Sequence, residues 1–338
     1  MNRPTHQPMV WMLVAALALA VLPFLLGANA IDKLTTLFIF MLLASTWGLL
    51  AGQAGLVSVG QQAFFGLGAY FALRLVDGGW TAYPALFAGA IGAAVVAWGL
   101  SFFVLRLKEG EFAIATWVVA EVIRILVMLD PMVQGETGTS LIALNAVEPE
   151  LRRNYGFWMA LGSLVFMLAM TAWLLRSAVG TATRALGEDD EAAASLGVRV
   201  TPTRRWVYVL ASLGAALAGV AWLASAITFL PRTNFGVQWS VLMLFMALVG
   251  GLRSQWGPLV GALLLFVLQE SLGHLGAWYL AGLGALAMVF AIWLPRGLAG
   301  LWDDWRARQS SATATAPPAP TAVSSSASLN TLSRSSTP

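Results

Sequence analysis

The chain has 338 residues, 59% of them hydrophobic and 10% charged, with a mean hydropathy of +0.77. A soluble domain carries roughly 25% charged residues, so lipid rather than a core of its own must cover much of this apolar surface. The net charge of +3 comes with no basic, aromatic-interleaved patch, which argues against a nucleic-acid partner. The absence of cysteine excludes disulfides and thiolate metal sites, and His6 and His274 have no metal-ligand spacing.

A bilayer crossing needs about 20 apolar residues. The candidate stretches are 9–29, 34–51, 56–76, 82–105, 112–129, 157–175, 206–229, 236–251, 256–272 and 277–294. The expected fold is therefore an all-α integral membrane protein of about ten transmembrane segments, some broken or re-entrant. In the first stretch Ala28-Asn29-Ala30 resembles a leader-cleavage site. The apolar run before it is longer than a typical leader core, and an uncleaved anchor is the preferred reading.

The third stretch is interrupted by Gly55, Ser58, Gly60, Gln61, Gln62, Gly66 and Gly68. Glycine permits close backbone approach, and polar groups at membrane depth need partners or water. Tight helix packing and a solute route both explain the glycines; Ser58, Gln61 and Gln62 are assigned to a candidate translocation pathway. In the fifth stretch Glu121 and Arg124, three apart, share a helical face. Charges within a span must be paired, so these two are either a structural ion pair or solute contacts, and they join the candidate pathway set. The loop at about 130–156 is mixed and slightly acidic.

The loop at 176–205 is strongly charged. A helix is expected from about Glu188 to Leu196. Glu188, Asp189, Asp190 and Glu191 suit its positive end, Ala192, Ala193 and Ala194 favour helix, Gly197 suits a left-handed C-terminal residue, and Pro202 prevents simple continuation. Such a helix is either a solvated, self-capping element or one that docks in a partner's groove. Further on, Ala211, Ala215 and Gly219 form a small-residue stripe suited to helix contact. A second interrupted segment runs from Gly250 to Pro258, and two broken segments often flank a transported solute. Glu270 lies near a span end, where it either snorkels to the interface or faces the route. Some of the 15 tryptophans belong in interfacial belts. From residue 309 the chain is rich in Ser, Thr, Ala and Pro and reads as a disordered tail after a membrane domain of residues 1–308.

With both termini in the cytoplasm, thirteen Lys and Arg residues face inward: Arg3, Arg106, Lys108, Arg176, Arg184, Arg199, Arg204, Arg205, Arg253, Arg296, Arg306, Arg308 and Arg334. Five face outward, namely Lys33, Arg74, Arg152, Arg153 and Arg232. This asymmetry favours that orientation over its inverse. The chain has no GxxxxGK[ST] loop and no Ser/His/acid triad. The expectation is a transport subunit that is not an enzyme, needs no metal or cofactor of its own, and draws its energy from a partner.

Glu191-Ala192-Ala193, three residues, then Gly197 matches the EAA---G signature of ABC importer permeases, whose loop inserts into a cleft of the ATPase subunit. Residues 55–75, 110–126, 191–223, 248–265 and 294–302 resemble, in order and spacing, branched-chain amino acid permeases of the M type. Two departures stand out: Gln61 replaces a His found in many members, and Gly187 replaces a better helix former. The resemblance implies an inner-membrane permease for leucine, isoleucine, valine or related amino acids. It also implies a sister permease, two ATPase subunits that use ATP, and an extracytoplasmic binding protein. Glu188 to Ala193 and Gly197 would then form the ATPase-coupling element. The alternatives are the same architecture carrying urea or short amides, an ion-driven secondary transporter, and a lipid-modifying membrane enzyme. A docking-like loop and few intramembrane acids weaken the second, and no clustered His, Asp or Ser supports the third.

Overall fold

The computed structural model describes residues 7–252, 254–294 and 296–301. Arg3, His6, Arg253, Arg306, Arg308, Arg334 and the tail lie outside the described residues. The helices are α1 (Gln7–Ala20), α2 (Ala28–Trp47), α3 (Gln62–Asp77), α4 (Ala82–Val104), α5 (Glu109–Met128), α6 (Pro149–Arg176), α7 (Ala178–Glu188), α8 (Asp190–Ser195), α9 (Val200–Ala226), α10 (Pro231–Asn234), α11 (Gln238–Gly250), α12 (Gly257–Leu272) and α13 (Ala277–Trp293). A helix occupies each of the ten apolar stretches. Among the described residues seven helical segments are long and apolar enough to cross a membrane. α1 and α3, at 14 and 16 residues, are short for a crossing, and the sequence of α5 carries three glutamates and an arginine.

Several boundaries depart from expectation. Ala28, Asn29 and Ala30 open α2 rather than closing the first segment, because Gly27 breaks the chain before them. The 176–205 loop holds α7 as well as α8, and Glu188 closes α7 instead of opening the acidic helix. Pro202 sits in the first turn of α9, where its missing N–H has no helical partner to lose. The chain is also not purely helical. Thr139–Ser140 pairs antiparallel with Thr228–Phe229, joining the loop after α5 to the end of α9. Beside this ladder Asp130 accepts from the Tyr70 hydroxyl at 2.6 Å and the Met132 N–H at 3.1 Å and pairs with Arg74 at 3.2 Å. These contacts, Tyr70's foremost, hold its carboxyl below the usual carboxylate range.

Helices α2 and α9 form the centre, with α6, α11 and α12 packed on α2 and with α3 and α4 packed on α9. Lipid offers no hydrophobic drive between helices, so association depends on close packing through small residues. A Cβ on Gly219 would lie 1.9 Å from the Phe65 carbonyl oxygen, and one on Gly68 2.6 Å from that of Ala216. The small-residue stripe of α9 is thus used within this chain; Ala211 and Ala215 on it are fully buried.

Below Trp47, α2 widens into a π-helical turn, Gly48–Gln53. Such turns concentrate at functional sites. Here backbones crowd it: a Cβ on Gly48 would meet the Pro258 ring at 2.5 Å, and one on Gly52 the Leu252 carbonyl oxygen at 2.0 Å. The second interrupted segment is a glycine knot around Gly251, whose φ of +111° closes α11. A Cβ on Gly250 would lie 1.9 Å from the Gly257 carbonyl oxygen.

Candidate functional site

Two features carry the functional argument: the α7–α8 arm, and a buried polar cluster around the start of α3. In the arm, Asp189 is the N-cap of α8, accepting from the N–H of Glu191 at 2.9 Å and of Ala192 at 3.0 Å. An N-cap of this kind is worth about 1 kcal/mol, which matters for a six-residue helix with no stability of its own. Asp190 pairs with Arg204 at 2.7 Å, tying α8 to α9. Gly197 adopts φ +87° and ends the helix; its N–H bonds Ala194 at 2.9 Å, while Val198 reaches back to Ala193 at 3.1 Å. Ala193 is buried against the body, whereas Glu191, Ala192 and Ala194 face solvent. Leu196, which the sequence reading did not single out, is 85% exposed at the tip. The arm therefore presents the Glu188 and Glu191 carboxylates, small side chains and one large apolar side chain outward. Of the acidic residues, Asp189 and Asp190 are engaged in building the arm.

The arm reaches the membrane helices through Gly187. A Cβ there would lie 2.5 Å from the Gln53 carbonyl oxygen, and one on Gly55 would lie 3.5 Å from the Gly187 Cα. The last turn of α7 is thus seated, backbone to backbone, on the π-helical turn.

Ser58, Gln61 and Gln62 follow within three turns, each only 1% exposed. The Trp47 indole N–H donates to the Ser58 carbonyl at 2.9 Å, and the Ser58 hydroxyl accepts from the Gly60 N–H at 3.2 Å. Gln62 accepts from the Ser240 hydroxyl on α11. Thr116 of α5 accepts from the Val59 N–H at 3.3 Å, and Gly60 abuts its backbone so closely that a Cβ would sit 2.1 Å from the carbonyl oxygen. Ser240 and Thr116 were not anticipated; only the fold brings α5 and α11 to this place. Neither amide atom of Gln61 has a hydrogen-bond partner among the described residues. A buried unpaired amide costs about 1–3 kcal/mol, so its retention asks for an explanation.

Glu121 and Arg124 lie apart from this cluster. Arg124 Nε donates to Glu121 at 3.0 Å, and its guanidinium lies 3.9 Å from Glu136. The Glu121 side chain is 49% exposed, on a face that also exposes Ile114, Trp117, Val118, Val122 and Ile125. Glu270 pairs with Lys33 at the end of the bundle away from the arm.

A model of the permease component of branched-chain amino acid transport systems matches residues 29–294. The LivM permease protein of the high-affinity branched-chain amino acid transport system from Salmonella typhimurium is 29% identical over 85% of this chain and 74% of its own length. Its Escherichia coli counterpart is 28% identical over the same shares. The LsrC permease protein of the autoinducer 2 import system from Yersinia pestis is 33% identical over 38% of this chain and 39% of its own. A metal-chelate type ABC transporter solved in an inward-facing conformation aligns with 78% of this chain and 89% of its own at a TM-score of 0.42 and 18% identity.

Proposed function

Because the chain belongs to the family of permease components of branched-chain amino acid transport systems, we propose that it is the membrane subunit of an ABC importer carrying leucine, isoleucine, valine or closely related amino acids. It is a multi-pass protein of the bacterial inner membrane. In this reading it has about ten membrane segments with both termini in the cytoplasm. It works with a sister permease, two ATPase subunits and an extracytoplasmic binding protein.

The observation that carries the reading is the arm. A six-residue helix capped by Asp189, closed by Gly197 and presenting Glu191 and Leu196 to solvent has the shape of an insert for another protein's cleft. Its root rests on the π-helical turn that leads to Ser58 and Gln61. Closure of the ATPases on ATP would move the arm, the arm would move that turn, and the helices would change which side of the membrane they open to. A partner shifts such an equilibrium only by binding its two states unequally. The exposed Glu121–Arg124 pair fits the same scheme. A charge against hydrocarbon costs about 2.5–3.5 kcal/mol even on insertion scales, so this face of α5 is where the sister permease or an aqueous route covers the chain. Gln61, buried and unpaired, is the residue whose amide waits for a solute, a water or the other conformation.

The test is ATP-driven uptake of leucine into vesicles holding this chain with its ATPases, sister permease and binding protein, with urea as a parallel solute. Leucine uptake that vanishes when this chain is omitted supports the proposal. Urea uptake without leucine uptake overturns the substrate and keeps the importer. Accumulation of leucine that follows an ion gradient and ignores ATP overturns the mechanism.

A further inference from the structure

Where the arm-side ends of α2 and α6 meet the connection into α12, the structure holds a partly open cleft of about 330 Å³. Its lining is mostly apolar at one end and polar at the other. Leu49, Leu168, Ala169 and Ala172 form the body, interrupted by Thr171 and by Ser45, whose hydroxyl donates to the Leu42 carbonyl at 2.8 Å, while Gln53, Arg176, Ser254 and Gln255 form a polar rim. Both α2 and α6 run toward the arm, so the gradient follows their axes: Leu168 lies about 12 Å before Arg176 at 1.5 Å per residue. Arg184 of α7 donates to the Leu175 carbonyl and brings a second cation beside the rim. Trp173 and Trp256 are 65% and 58% exposed where the cleft opens, and Phe166 and Val260 are exposed beside it.

A small polar solute would leave the body unmatched, and a hydrocarbon would leave the rim unmatched. An acyl chain attached to a phosphate matches both, in the direction that a bilayer already imposes: hydrocarbon toward the centre, phosphate at the edge. Basic pockets between transmembrane helices on the cytoplasmic side recognise anionic headgroups, and tryptophans mark the interface at that level. We propose that this cleft holds one anionic phospholipid, its phosphate at the Arg176 rim and one acyl chain along the Leu168–Trp173 face of α6. The lipid would fill the gap beside the π-helical turn and brace the wall on which the arm's root rests.

The experiment is native mass spectrometry of the full-length chain in its assembled complex, extracted in nonionic detergent and offered equal amounts of phosphatidylglycerol and phosphatidylcholine. The expected result is one phosphatidylglycerol retained per chain, at least about tenfold over phosphatidylcholine. Ala172→Phe, which fills the body, should abolish retention. Arg176→Gln should keep a lipid but lose the preference, which also shows that the variant is folded. Should Ala172→Phe fail to assemble, Ala169→Leu fills the same space more gently and should reduce retention. Equal retention of the two lipids by the natural sequence overturns the proposal, as does undiminished retention in the filled variants. Displacement by millimolar glycerol phosphate would make this a site for a free anion, and displacement by leucine would make it part of the solute's exit; either result also overturns it.

Discussion

Gln61 is the residue whose chemistry is least explained by packing. Its amide is buried without a hydrogen-bond partner among the described residues, whereas its neighbour Gln62 is bonded to Ser240. Gln61→Leu should therefore raise the melting temperature of the complex, by relieving a cost of about 1–3 kcal/mol, while depressing leucine uptake. Thermal unfolding and uptake measured on the same preparation check this, and unchanged uptake would remove Gln61 from the pathway. Glu191 is the opposite case: exposed, unengaged in the arm's own construction, and placed for a partner. Glu191→Lys should leave the helices folded and the ATPases turning over while uptake fails. Normal coupled transport in that variant would refute its role. The acidic run of four was visible in the sequence, but its division of labour was not. Asp189 caps and Asp190 anchors because the chain kinks between α7 and α8, and that kink depends on how α7 lies against α9 and the π-helical turn.

At the scale of elements, the arm and the π-helical turn behave as one joint. Gly187 permits the approach, since any side chain there would push the helix from the Gln53 carbonyl at 2.5 Å. Gly187→Ala should strengthen α7 as a helix, as alanine is the better former by about 1 kcal/mol, and yet lower the solute moved per ATP at least about fivefold, the lower range of allosteric coupling energies. Gly162→Ala on α6, with open space around it, is the matched control and should transport normally. Equal coupling ratios in the two variants would sink the joint. The sequence marked Gly187 as a poor helix former before the acidic turn; it could not show that the missing side chain makes room for a backbone 134 residues earlier.

Over the whole molecule, the two ends of the bundle differ. The arm and Arg176 occupy one end; Asp32, Lys33, Arg153 and Glu270 occupy the other, in the pairs Asp32–Arg153 and Lys33–Glu270. The proposed orientation puts the arm in the cytoplasm. Because the chain has no cysteine, single cysteines report sidedness cleanly. Ile142→Cys, at a position 72% exposed, should react with a membrane-impermeant maleimide in intact cells. Leu196→Cys should react only in inverted vesicles, and less once the ATPases are bound. The reverse pattern would invert the topology.

Composition alone settled that lipid covers this chain, because 59% hydrophobic and 10% charged residues leave no other solvent for its surface. Local sequence also located the helical stretches and the left-handed stop at Gly197, since apolar run length and a glycine's freedom at positive φ are properties of a few adjacent residues. The tertiary structure decided what those residues meet: Gly187 against Gln53, Gln62 against Ser240, Thr116 against the turn before Gln61, and a Gln61 amide packed in with no hydrogen-bond partner among the described residues. Each of these is a contact, or the lack of one, between segments far apart in sequence. Such contacts follow from how helices stack, which no local pattern records.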